Sequence, residues 1–176
     1  LIRQFMKNPV EVAIDAATDT VGTMHHLWLA VHHMDKDKVV AAIARGAGKT
    51  VVFCQTKRVC DRVTDNLVAL GVNASAIHGD LPQPSREKAT DVAARGIDID
   101  DIAAVIHYEP AKDNKDYLHR SGRTARAGRD GWAVTLVEYN QHTQVTILQR
   151  TMRMPITKAI EVFSNNPKLA NLPDFL

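Results

Sequence analysis

The sequence predicts an α/β fold with a mainly parallel central sheet. Two observations carry this expectation. Short apolar runs of strand character alternate with amphipathic helical patterns, and glycines punctuate the helix ends. The 176 residues suffice for one domain with its own core, and 45% apolar with 24% charged residues is ordinary for a globular chain.

Taken in order, Leu1 to Lys7 reads as the end of a helix stopped by Asn8-Pro9. Val10 to Ile14 alternates as a short strand, and the small, polar stretch Ala16 to Thr23 reads as a linker and domain boundary. Met24 to His33 is predicted as a strand from Leu27, Leu29 and Val31 at period two. Asp35 is placed to cap a helix running to Arg45, with Val39, Val40 and Ile43 inward and Gly46 at its end. Thr50 to Cys54 reads as a buried strand. Lys57 to Leu70 is helical, with Val59, Val63, Leu67 and Leu70 on one face and Gly71 as the stop. Val72 to Ile77 is expected to be a strand, Pro82 to Ala89 a short helix, and Ala103 to His107 and Trp132 to Val137 strands. Gln141 to Met152 follows as a helix with Val145, Leu148 and Met152 inward. After Pro155, Ile156 to Phe163 has the pattern of a further helix, and the Pro- and Asn-containing tail from Asn165 is expected to lie on the surface or fray. In parallel sheets function gathers on loops at the carboxyl ends of strands, here those after Cys54, Ile77 and His107.

Composition excludes several classes. A net charge of +2 is too small to argue nucleic-acid binding alone, so any basic surface must be local. Cys54 and Cys60 read as small core fillers in a reducing compartment. No apolar run reaches membrane-spanning length. The start Leu1-Ile2-Arg3-Gln4 is no signal peptide, and the chain reads as a cytoplasmic piece of something longer. His25, His26, His32 and His33 could suggest a metal, but neighbouring strand residues face opposite ways.

Gly46-Ala47-Gly48-Lys49-Thr50 ends like a phosphate loop. Its context is reversed, because such a loop follows a strand and opens a helix. No adjacent Asp-Glu pair occurs, so a metal-holding DExD segment is missing as well.

The stretch from His119 to Arg129 is the densest local chemistry. Arg120, Arg123, Arg126 and Arg129 recur at a spacing of three, with no acid between Asp116 and Asp130. On a helix the first three fan over one side, and Gly122 and Gly128 stop that helix early. Arginine grips phosphate oxygens bidentately and keeps its charge. A solvated basic turn would also carry such residues.

Several segments then line up in order. Val51-Val52-Phe53-Cys54-Gln55-Thr56-Lys57 resembles motif IV of DEAD-box RNA helicases. Ala76-Ile77-His78-Gly79-Asp80, then Gln83-Pro84-Ser85-Arg86, resembles their HGD and QxxR segments. Thr90 to Asp98 resembles motif V, and Tyr108-Glu109-Pro110 a short following segment usually written with Asp in place of Glu109. His119 through Arg126 resembles motif VI, HRxGRxxR.

The resemblance, which is to the bacterial type, implies the second, RecA-like three-layer domain of an ATP-dependent RNA helicase. Residues 1–23 would be the end of the first helicase domain and the linker, 24–154 the second domain, and 155–176 a C-terminal extension. Arg123 and Arg126 would be arginine fingers reaching ATP, which, with Mg²⁺, is held mainly by the preceding domain. Gly96 and Asp98 would also border the nucleotide, Asp98 at the ribose. His119, Arg120 and Gly122 would be structural. Thr56, Gly79, Gln83, Arg86 and Thr90 would face the RNA backbone, a mode of contact that positions a strand without reading it. The alternative is a non-enzymatic RNA-binding or annealing module of the same shape. One departure stands out. The family has a helix and a buried strand between the QxxR segment and motif V, whereas here Ala89 is followed directly by Thr90. Residues are therefore expected to have been lost at that junction.

Overall fold

The computed structural model describes residues 23–80, 102–125 and 129–176. The expected elements at Leu1 to Lys7, Val10 to Ile14 and Pro82 to Ala89 lie outside these residues, as do most of the linker and the Ala89–Thr90 junction.

Alternation along the first strand sets the layering. In β1 (Met24–Ala30), Leu27 and Leu29 turn to one face and Trp28 to the other. The Leu face receives α1 (Lys36–Ala47) and α2 (Lys57–Ala69), through Val39, Val40, Ile43, Val63 and Leu67. Trp28 packs with Tyr117 of α3 (Asn114–Ser121) and with Val145 and Leu148 of α4 (His142–Thr151). Between the helical layers lie β2 (Thr50–Phe53), β3 (Ala104–His107), β4 (Gly131–Val137) and a two-residue β5 (Ile160–Glu161). The order is β2-β3-β4-β1-β5, and every described pairing is parallel. The three-layer α/β expectation is met.

Local chemistry explains most boundaries. Thr56 accepts a hydrogen bond from the Val59 amide at 3.2 Å and so caps α2. Asp35 occupies the cap position of α1 without a side-chain cap bond. That helix runs two residues past the expected end, to a Gly48 with φ +85°. Gly46 lies inside it for a different reason. A Cβ there would sit 1.8 Å from the Ala170 carbonyl oxygen, so only glycine admits the tail.

Three expectations fail. Val72 to Ile77 keeps alternating exposure but forms no strand, and it pairs with none of the described strands. Ile156 to Phe163 is not a helix; the chain runs extended along β1, with Ile160 and Glu161 paired to Leu29 and Ala30 and the Val162 amide donating to the Ala30 carbonyl at 3.1 Å. An open edge of β1 offers those amides better partners than an isolated turn. The tail does not fray. Its 3₁₀ turns at Pro167–Ala170 and Leu172–Phe175 bury Leu169 and Leu172 in the core beside α1.

Candidate functional site

Two exposed segments meet beyond the end of β2. Lys57, at the start of α2, donates to the Asp80 carboxylate at 2.5 Å, and that hydrogen bond, with the ammonium charge behind it, holds the Asp80 carboxyl below its usual range. His78 Nε2 lies 2.7 Å from Asp61 Oδ1 on α2. These bonds bring exposed Gly79 to the same helix that Thr56 caps. The Thr56 oxygen accepts from Val59, which leaves its hydroxyl proton available to an outside acceptor.

The arginine segment is built differently from a single helical fan. Asp113 caps α3 by accepting from the Asp116 amide at 2.8 Å, and the helix ends at Ser121 with Gly122 as its cap. Arg120 is therefore the only one of the series on α3. Its Nε donates to Asp116 Oδ1 at 2.6 Å, one turn back, and its guanidinium lies 5.4 Å from the Phe53 ring centroid. Arg123 lies beyond the helix in a turn closed by its amide on the Arg120 carbonyl, and its Nη2 is 2.8 Å from His119 Nε2. No carboxylate touches Arg123 among the described residues.

That turn is fixed from several sides. Thr124 Oγ1 donates to the Ile102 carbonyl, and Ala125 follows at φ +57°, a strained geometry for an alanine. A Cβ on Gly131 would meet Thr124 Oγ1 at 2.2 Å and the Ala125 nitrogen at 2.3 Å, so glycine lets the turn press against β4. The anchors Ile102 and Gly131 precede β3 and open β4. The turn therefore lies by the amino ends of these strands, not on the carboxyl-end loops, because α3 runs back along the sheet.

A buried polar layer lies under α3. His107 Nε2 pairs with Ser121 Oγ at 3.1 Å, and its ring stacks on Tyr117 with centroids 4.8 Å apart. Burial, helped by the Arg120 charge, pushes the His107 imidazole down to about 3. Burial likewise raises the Tyr117 phenol and lowers His26, whose Nδ1 lies 2.8 Å from the Tyr117 hydroxyl.

A second cluster, which the sequence reading missed, spans the carboxyl ends of β1, β3 and β4. Asp37 accepts from the Tyr108 hydroxyl at 2.7 Å, from Asn66 at 2.6 Å and from Arg62 at 3.2 Å. Buried Lys36 pairs with Glu138 at 3.1 Å and lies 4.4 Å from the Tyr108 ring centroid. In sequence Asp37 is an ordinary first-turn acid, and of this cluster only Tyr108 stands within a segment that resembles a family motif.

The phosphate-loop resemblance fails on context: α1 precedes Gly48 and β2 follows it. Cys54 is unbridged, and burial, with Cys60 and Glu109 adding to it, pushes its thiol up to about 12, which suits a packing role. No described helix is long and apolar enough to cross a membrane. Of the candidate residues, Thr56, Gly79, His119, Arg120, Gly122 and Arg123 are described. Gln83, Arg86, Thr90, Gly96, Asp98 and Arg126 lie outside the described residues.

Comparison with known proteins agrees with this architecture. The helicase conserved C-terminal domain family matches residues 88–128. ATP-dependent RNA helicase DeaD of Buchnera aphidicola is 34% identical over 171 residues, covering 89% of this chain and 28% of the relative. ATP-dependent RNA helicase DbpA of Bacillus subtilis is 32% identical, covering 100% of this chain and 40% of the relative. Among solved structures, the E. coli DEAD-box protein SrmB bound to regulator of ribonuclease activity A superposes with a TM-score of 0.60 at 28% identity, covering 80% of this chain and 89% of that one. Fold and motifs thus define a helicase C-terminal domain with a RecA-like sheet. The chain belongs to the DEAD-box RNA helicase family. It spans less than half the length of these two curated relatives. The DbpA match runs over 192 positions against 176 residues here, so the relative carries residues without a counterpart in this chain.

Proposed function

We propose that this chain is the second half of an ATP-dependent RNA helicase, completing an ATP site whose other components, with Mg²⁺, belong to a preceding domain. Residues 1–23 are the end of that domain and the linker, 24–154 the second domain and 155–176 its extension. The observation that carries the reading is the environment of Arg123. Among the described residues its guanidinium meets an imidazole, not a carboxylate, on a turn pinned by Thr124 and Gly131. A cation so placed suits an anion brought from outside, and polyphosphate fits that requirement. Arg123 and Arg126 act as arginine fingers on the γ-phosphate, stabilising charge that develops during transfer. Gly96 and Asp98 border the nucleotide, while His119, Arg120 and Gly122 shape the turn.

Thr56, Gly79, Gln83, Arg86 and Thr90 grip the RNA backbone. Support for this comes from the exposed Thr56 hydroxyl at the first turn of α2, where helix amides also favour a phosphate. Closure of the two domains around both ligands bends the RNA and separates short duplexes, and product release reopens the cleft. The protein works in the cytoplasm.

The isolated 176-residue chain is expected to show no ATP hydrolysis, whereas the full-length parent shows RNA-stimulated hydrolysis. A steady-state phosphate-release assay checks both. Turnover by the isolated chain would favour an autonomous site at Lys49, and a parent inert with RNA would favour an annealing module.

A further inference from the structure

Among the described residues, the segment that carries Thr56 and the segment that enters α3 meet beyond the last rung of the β2–β3 ladder. That ladder ends with Phe53 opposite His107 and one more bond from the Tyr108 amide to the Phe53 carbonyl at 3.0 Å. Past it, side chains take over. The Gln55 amide donates to Glu109 Oε2 at 3.1 Å, and Gln55 Nε2 donates to the Pro110 carbonyl at 3.2 Å. Gln55 leads directly into Thr56, the cap of α2. Glu109 and Pro110 lead, through Asp113, into α3. At the other end of α3, Arg120 rests over the ring of Phe53, two residues before Gln55. Thus α3 is held against the β2 end both where it begins and in its last turn, and Arg123 follows that turn.

Resting on the function proposed above, we propose that Glu109 and Gln55 are positioning residues that couple RNA binding at Thr56 to nucleotide engagement by the arginine turn. A phosphate gripped at Thr56 pulls on Gln55. Two hydrogen bonds pass that displacement to the segment entering α3. Glu109 itself touches neither ligand. Coupling of this kind is reciprocal: nucleotide tightens RNA by the factor by which RNA tightens nucleotide.

The test uses the full-length parent and compares its RNA dissociation constant with and without a non-hydrolysable ATP analogue. In the unaltered protein the ratio is expected to be about fivefold or more. Glu109→Ala removes the acceptor at a partly exposed site. It should bring the ratio close to one while leaving nucleotide-free RNA affinity within about twofold and the melting temperature unchanged. Glu109→Gln keeps an accepting oxygen and should restore most of the ratio. Gln55→Ala, at an exposed position, should lower it independently and keeps the test open should Glu109→Ala fold poorly. A Glu109→Ala ratio equal to that of the unaltered protein overturns the link alone. A ratio that falls only in step with nucleotide-free RNA affinity also overturns it, making Glu109 an RNA contact. A ratio of one in the unaltered protein overturns the helicase reading itself, and the link with it.

Discussion

His107 shows how a single side chain makes this fold sensitive to acid. It closes β3 fully buried, with Ser121 as its hydrogen-bond partner and Tyr117 stacked on its ring. The unfolded chain protonates this imidazole near the ordinary 6.5, the native fold only near 3. Stability is therefore complete above 6.5 and falls as the pH drops toward 3, by at most about 1.4 kcal/mol per unit. His26, lowered by the same burial, adds to the slope. Urea unfolding at pH 7 and pH 5 should show a clear loss for the unaltered chain and a smaller one for His107→Gln, which keeps a polar contact without titrating. Equal losses would mean that the imidazole is already charged in the fold. The sequence marks this residue only as the end of a strand. Its burial comes from α3 folding back over β3, a contact between residues far apart that no periodicity encodes. Arg120 is similar: its arginine spacing was visible, but its pairing with Asp116 and its ring partner Phe53 depend on where the helix stops.

At the scale of elements, what was legible is what local pattern specifies. Leu27, Leu29 and Val31 at period two announced β1, and Val63 with Leu67 announced α2; all are buried as expected. The failures share a cause. Val72 to Ile77 has strand alternation but makes no described pairing, and Ile160 has helical spacing but an open strand edge beside it. Pairing partners are tertiary facts. The tail departs from expectation for the same reason: its Pro and Asn content suits the two 3₁₀ turns that bring Leu169 and Leu172 into the core. Leu169→Ala should destabilise the domain by about 2–5 kcal/mol, as a fully buried leucine does when truncated. Denaturant midpoints measure this directly. A change below about 0.5 kcal/mol, the range of surface substitutions, would show that the tail does not dock in solution.

For the molecule as a whole, the motifs were readable because phosphate chemistry demands particular residues at particular spacings, whereas the supports beneath them were not. The cluster around Asp37, the Gln55–Glu109 bonds and the glycine at 131 that admits the arginine turn are visible only in three dimensions. Together they describe a half-site. In the function proposed above, Arg123 on its pinned turn meets the nucleotide, Thr56 at a helix start meets the RNA, and the Gln55–Glu109 bonds lie between the two. The measurement that bears most directly on that description is single-turnover ATP hydrolysis by the full-length parent with saturating RNA, comparing the unaltered protein with Arg126→Ala and Arg123→Ala. The account predicts that each loses about 10³-fold or more in rate, as removal of an arginine finger does, while both still bind RNA. Rates within a few-fold of the unaltered protein would contradict it.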